Sequence, residues 1–306
     1  MSASVTLPRL AVTVGDPRGI GPEIIRAALE DPALRSVCNP VIVGPDGAGI
    51  DVEVSIGQWD GSRSADSAAH AGKISGDAIA RAVAMALAGD VDGIVTAPID
   101  KYALLAGGYD FPGHTELLAA LTGSRVAMML ASDRLRVVLA TTHIALRDVV
   151  RDLTPDAIAS AARVTRAGLR DWFGIESPRI ALCALNPHAG DHGRFGNEDD
   201  TVLAPAARDS GLLGPFPADT VFVRAIRGEF DAVIAPYHDV GMTAVKVASF
   251  GSAVNVTLGL PFPRTSPDHG TAMDIAGRGI ADPASFSAAM RMCAAIVQRR
   301  RLAQSR

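Results

Sequence analysis

Short apolar runs alternate along this chain with longer Ala-rich stretches. The runs at 10–14, 40–43, 93–95, 136–139, 180–185 and 232–234 are rich in β-branched residues and lack a regular polar interruption. Strands covered on both faces lose the in–out alternation of a half-exposed sheet, so each run is expected as a buried parallel strand. Between them, 23–29, 76–88, 155–171 and 281–301 have the length and composition of helices. The step Thr154-Pro155-Asp156 is a helix start, with a hydroxyl to cap, a proline suited to the first turn and a carboxylate at the positive end of the dipole. Strand and helix in alternation predict an α/β fold with a largely parallel sheet. The segment 44–64 has the weakest pattern and is expected as surface loop with a short strand. The basic stretch 298–306 is expected as a solvated helix end or frayed tail.

Composition narrows the function classes. With 48% hydrophobic and 20% charged residues, the 306-residue chain has the balance of a soluble enzyme with a sizeable core. A formal charge of -4 gives no electrostatic case for nucleic acid or an anionic membrane. No apolar stretch reaches the length of a membrane span, and the first residues lack the pattern of a secretory signal. The three cysteines, Cys38, Cys183 and Cys293, are far apart and form neither a disulfide framework nor a metal-type pair. A reducing cytoplasm is the expected location.

Candidate chemistry gathers where strands end. The 10–14 strand runs into Gly15-Asp16-Pro17-Arg18-Gly19-Ile20-Gly21-Pro22-Glu23, a glycine-rich turn that is either a ligand-approaching loop or a tight strand–helix connection. It is not the G-x-G-x-x-G dinucleotide fingerprint. The 93–95 strand leads into Thr96-Ala97-Pro98-Ile99-Asp100-Lys101. Gly113-His114-Thr115-Glu116 then reads either as the cap of a helix starting at Leu117 or as a set of ligand-holding groups. Of seven histidines, His143, His188 and His238 each follow a strand. In open α/β sheets that is where ligands bind, and three imidazoles leave a metal an open position; the alternative is three ordinary loop histidines. Asp239, beside His238, is a candidate acid–base group or partner to the imidazole. Lys246, Asn255 and Arg264 are each nine residues apart and carry the donors that grip a phosphate, or are unrelated surface residues.

Taken in order, GDPRGIGPE (15–23), TAPIDK (96–101), GHTE (113–116), ATTHIALRDV (140–149), LNPHAGD (185–191), YHDVG (237–241) and the block from Lys246 onward resemble the 4-hydroxythreonine-4-phosphate dehydrogenase family of pyridoxal phosphate biosynthesis. The segments Gly19-Ile20-Gly21-Pro22-Glu23 and 269–277 also resemble the isocitrate and isopropylmalate dehydrogenases, which bind NAD(P) without a Rossmann fingerprint. The resemblance implies two α/β/α lobes around a cleft: a discontinuous NAD-binding lobe (1–115 and 250–306) and a central lobe (116–249) with the metal ligands and dimer interface. It implies metal ligands at His143, His188 and His238, and substrate contacts at His114, Thr115, Lys246, Asn255 and Arg264. It implies cofactor contacts at His269, Gly270, Thr271, Ala272 and Asp274, and proton transfer by Asp239 and Lys246. The cofactors implied are NAD, with NADP as the variant, and one divalent ion (zinc, cobalt, magnesium or manganese). The partner implied is a second copy, with His238 reaching into the other subunit's site.

The implied reaction is oxidation and decarboxylation of 4-phosphooxy-L-threonine to 3-amino-2-oxopropyl phosphate. The alternative is a phosphorylated sugar acid such as 4-phospho-D-erythronate or 4-phospho-D-threonate. The sequence departs from the family pattern at Val240, where glutamine is common, at Met242-Thr243, where Leu-Pro is common, and in a shorter region between Asp31 and Ala71.

Overall fold

The computed structural model describes residues 6–249 and 251–304. In chain order its strands are β1 (Arg9–Thr13), β2 (Asn39–Asp46), β3 (Val54–Gln58), β4 (Gly93–Thr96), β5 (Ala127–Ala131), β6 (Arg136–Leu139), β7 (Ile180–Cys183), β8 (Leu213–Phe216), β9 (Ala232–Ala235), β10 (Val254–Leu258) and β11 (Arg264–Pro267). The α-helices are α1 (Gly21–Leu29), α2 (Pro32–Arg35), α3 (Ala68–Ala88), α4 (Lys101–Ala106), α5 (His114–Thr122), α6 (Val149–Asp152), α7 (Pro155–Phe173), α8 (Ala204–Asp209), α9 (Ala218–Ile226), α10 (His238–Ser249) and α11 (Ala284–Gln304). The fold is α/β, as the alternation predicts. Among the described residues no helix is long and apolar enough to cross a membrane.

The chain forms two compact units, Met1–Ser124 with Leu260–Arg306, and Arg125–Gly259. In the first, the strand order is β3-β2-β1-β4-β11, all parallel. Leu10, Val12, Ile94 and Val95 are fully buried in it, and burying a large aliphatic side chain contributes about 1.5–3 kcal/mol. Helix α3 starts at Ala68, eight residues before the expected Gly76. Its glycines explain both the missed start and the packing. A Cβ on Gly72 would lie 1.6 Å from the Ala103 carbonyl oxygen, and one on Gly76 would lie 2.1 Å from the Tyr109 ring. They weaken helix propensity and let α4 and Tyr109 approach the backbone.

In the second unit the order is β10-β5-β6-β9-β7-β8. Strands β6, β9, β7 and β8 run parallel, whereas β5 is antiparallel to both β10 and β6. Leu130, Val137, Val233, Val221, Phe222 and Met242 share its core. The Thr154 hydroxyl accepts from Ala157 N–H at 3.2 Å and so caps α7, as the helix-start motif predicts. All three cysteines are buried free thiols. Of the two expectations for 298–306, the solvated helix end is what forms, as α11 runs to Gln304; residues 305 and 306, like the first five, lie outside the described residues.

Candidate functional site

In the first unit, the C-terminal end of β4 and the start of β11 bring together basic groups scattered through the sequence. Arg264 opens β11, in register with Ile94 of β4, and is only 1% exposed. Its Nη2 donates to the Thr96 hydroxyl at 2.5 Å. Burial pushes this guanidinium down to about 9, against the opposing pull of Cys293 and Glu116. A cation held in such surroundings is poised to gain from an incoming anion.

His114 is the first residue of α5, so the helix begins three residues before the expected Leu117, with Gly113 as its N-cap. Burial, with Arg264 and Lys101 nearby, holds its imidazole well below the usual histidine range. His114 is therefore neutral at neutral pH. Its Nε2 is buried without a partner in the protein, available to a ligand. Thr115 follows on the same helix.

Lys101, which no local pattern marks, opens α4 directly after Asp100, which caps that helix by accepting from Ala103 N–H at 3.0 Å. The 15–23 loop braces this end. Asp16 and Arg18 are both buried, with Arg18 Nε and Nη2 donating to the two Asp16 carboxylate oxygens at 3.0 and 2.7 Å. Arg18 Nη2 also lies 3.7 Å from Asp100. Lys101 and Glu116 were legible only as members of the TAPIDK and GHTE motifs; their electrostatic coupling to His114 and Arg264 is a long-range fact.

The segment carrying His269, Gly270, Thr271, Ala272 and Asp274 follows β11 in the same unit as irregular chain. His269 Nδ1 lies 3.0 Å from the Gly270 carbonyl oxygen, and its Nε2 is buried without a protein partner. Ala272 has a φ of 42°, a left-handed conformation unusual for a residue with a Cβ. An unsatisfied imidazole beside accessible backbone suits a polar cofactor.

In the second unit, strand register explains the histidines. β6 and β9 are parallel neighbours with Leu139 opposite Ala235, and β7 flanks β9 with Leu182 opposite Ile234. The three strands therefore deliver their following loops to one edge of the sheet. The Thr141 hydroxyl ties the first two loops together by donating to the Pro236 carbonyl at 2.7 Å. As a result the His143 and His238 ring centroids are 5.7 Å apart, with planes inclined by 41°. Two imidazoles on one tetrahedral ion, at about 2.0–2.1 Å each, place their centroids roughly 5–6 Å apart, so this pair fits a shared metal. His238 Nδ1 lies 2.8 Å from Asp239 Oδ1, a carboxylate–imidazole pairing in which Nε2 is the ring nitrogen that could meet a metal. His238 is the first residue of α10, a helix outside those expected from the sequence pattern.

His188 is not gathered with them. Among the described residues no three His, Cys, Asp or Glu side chains are grouped as a metal site. His188 stands on a turn where His188, Ala189, Asp191 and His192 all have φ between 44° and 56°. Its ring faces Phe195 at 6.3 Å. The start of that turn is clamped by buried Asp199, which accepts from Leu185 and Asn186 N–H at 2.8 and 3.0 Å. Such a run of left-handed non-glycine residues persists only where its surroundings hold it, and it occurs most often at functional sites. The close pair His143–His238 lies within one chain, whereas the resemblance implies His238 acting in the other subunit.

Lys246 is exposed on α10, and Asn255 lies on β10 with its Oδ1 buried and without a protein partner. Of the expected phosphate grip, Lys246 and Asn255 thus belong to the second unit, and His114, Thr115 and Arg264 to the first.

Comparison with known proteins adds a family. Residues 32–293 match the family model described as Pyridoxal phosphate biosynthetic protein PdxA. The chain is 44% identical to a 4-hydroxythreonine-4-phosphate dehydrogenase of Geobacter metallireducens, over 94% of this chain and 95% of that one. It is 42% identical to a D-threonate 4-phosphate dehydrogenase of Cupriavidus necator, over 96% and 98%. The crystal structure of 4-hydroxythreonine-4-phosphate dehydrogenase from Klebsiella pneumoniae superposes with a TM-score of 0.84 at 38% identity, covering 97% of this chain and 100% of that one.

Proposed function

Because this chain belongs to the PdxA family, a family of dehydrogenases acting on phosphorylated hydroxy acids, we propose that it oxidises and decarboxylates 4-phosphooxy-L-threonine to 3-amino-2-oxopropyl phosphate. The observation that carries the reading is buried Arg264 with neutral His114 and Lys101 close by. Arg264 offers a guanidinium fork, His114 a hydrogen bond from an uncharged ring, and Thr115 a hydroxyl; together they bind and orient a phosphate. Lys246 and Asn255 are assigned to the same substrate by the family pattern.

In this reading His143, His188 and His238 hold a divalent ion, which supplies Lewis-acid charge where the alcohol loses its proton and where negative charge develops during decarboxylation. Three imidazoles favour zinc or cobalt by ligand softness, with magnesium and manganese as the competitors. The segment 269–274 would hold NAD, which would supply the hydride-accepting chemistry of the oxidation. Asp239 and Lys246 move the protons: one leaves the hydroxyl oxygen as the carbon–hydrogen bond breaks, and one returns to carbon after carbon dioxide departs. Ile144, Leu146 and Val150 near His143, and Phe195 near His188, are exposed apolar side chains. They favour a homodimer in which a second copy covers this face.

The test is NADH formation from 4-phosphooxy-L-threonine with and without a chelator. Turnover that needs the metal is the expected result, and none with metal and NAD supplied sinks the assignment. The similarity to the Cupriavidus protein makes 4-phospho-D-threonate the second substrate to assay. A higher kcat/KM on it moves the substrate while leaving the chemistry in place.

A further inference from the structure

The GIGPE motif and the segment after β11 were singled out separately in the sequence, and the structure joins them. Glu23, in the first turn of α1, is 8% exposed. Its carboxylate accepts from the backbone N–H of Gly277 at 2.8 Å and of Ala281 at 3.0 Å, and the Gly279 and Ile280 amides add to the favourable field around it. Burial works to raise its pKa, but the ring of amides outweighs burial and holds it below the usual glutamate value. The charge is therefore retained at neutral pH, where the N-terminus of α1 also favours it.

The other end of the segment is fixed by the same motif. Ile20 N–H donates to the Thr271 carbonyl at 2.9 Å. A Cβ on Gly19 would lie 2.7 Å from that same oxygen, so glycine is needed for Thr271 to approach. A third tether is the Arg63 guanidinium, which donates to the Ala276 carbonyl. Between the pins at 271 and 277 lie left-handed Ala272 and exposed Asp274, two of the positions assigned to the dinucleotide.

We propose that Glu23 is a positioning residue for the dinucleotide: its carboxylate, cradled by the amides of residues 277–281, holds the 271–281 loop in its cofactor-binding conformation. The proposal rests on the reading that 269–274 contacts NAD. Preorganising such a loop raises affinity by sparing the ordering cost on binding. Glu23 itself touches loop backbone, not the reacting atoms.

The test uses the full enzyme, with NAD alone as the probe. Glu23→Gln keeps the shape but turns one accepting oxygen into a donor that opposes the amides. We expect the directly measured Kd for NAD to rise at least tenfold. Turnover at saturating NAD and the KM for the phosphorylated substrate should change less than threefold, and amide hydrogen exchange should speed up selectively over 277–281. A merely structural role would lower the thermal midpoint and leave the Kd for NAD unmoved, and that result overturns the proposal. If Glu23→Gln does not fold, Gly19→Ala displaces Thr271 with Glu23 intact. It should show the same NAD-selective loss, and wild-type affinity there is equally fatal. Failure of the unaltered enzyme to bind NAD defeats the cofactor reading; normal binding by enzyme and variants alike defeats only the role of Glu23.

Discussion

Arg264→Met distinguishes a buried cation kept for a ligand from one kept for the fold. Burial lowers the guanidinium from its ordinary 12.5 to about 9. At about 1.36 kcal/mol per pH unit, carrying the charge costs the free protein about 5 kcal/mol. Methionine removes the charge at similar length and leaves the Thr96 hydroxyl without the donor it has at 2.5 Å. That loss costs about 1–3 kcal/mol. The variant should therefore be more stable than the wild type in phosphate-free buffer, by up to about 2–4 kcal/mol. At about 2–4 °C per kcal/mol for a domain of this class, scanning calorimetry should show Tm rising by several degrees.

Function should move the other way. Losing one charge-assisted contact to phosphate, about 1.5–3 kcal/mol, raises KM for the phosphorylated substrate roughly 10- to 150-fold. Inorganic phosphate should stabilise the wild type and not the variant. A variant that melts lower than wild type and keeps its KM would refute the reasoning.

His143→Ala, His188→Ala and His238→Ala should each lose bound metal by elemental analysis while still binding NAD; more than a tenth of wild-type activity in His188→Ala would remove it from the ligand set. Asp239→Asn removes both the carboxylate beside the His238 imidazole and the proposed proton carrier, and should cost at least about 10–100-fold. In co-expressed dimers, same-chain pairing of His143 with His238 predicts no recovery from His143→Ala plus His238→Ala. If the partner supplies the third ligand, His143→Ala plus His188→Ala restores about a quarter of the activity, because random assortment makes about half the dimers mixed, each with one intact site. Recovery from the first mixture would instead show that the His143 and His238 of one site come from different subunits. His114 is neutral when folded, so the unfolded chain binds the extra proton and stability should fall as pH drops below about 6.5. His114→Gln should flatten that slope in urea titrations at pH 7.5 and 5.5, and an unchanged slope assigns it to another group.

Strands β1, β4, β6 and β9 were readable because their runs are apolar on both faces. β5, Ala-Met-Met-Leu-Ala, was missed: alanine and methionine favour helix locally, and only pairing between β6 and β10 makes the segment a strand. β11, Arg-Thr-Ser-Pro, was missed for the opposite reason. It is polar yet fully buried, which no local pattern signals. The site was legible as a set of motifs and of strand-end histidines. Its electrostatics were not, since the lowered values of His114 and Arg264 come from burial and from groups far away in sequence. Nor could the order of residues show that Glu23 binds amides more than 250 positions later.

The return of residues 260–304 to the first unit has a consequence during synthesis. Strand β11 pairs with β4, and α11 packs against both. While the ribosome is still making the 125–259 unit, the edge of β4 that β11 will cover has no partner, and Glu23 has no amides to hold. The nascent first unit is thus an incomplete sheet with an open apolar edge, a target for chaperones and a risk for aggregation. A messenger cut short before residue 260 would yield a chain with that edge permanently open and without Arg264. Such a product should be recognised by proteolytic surveillance, not persist as a weakly active enzyme.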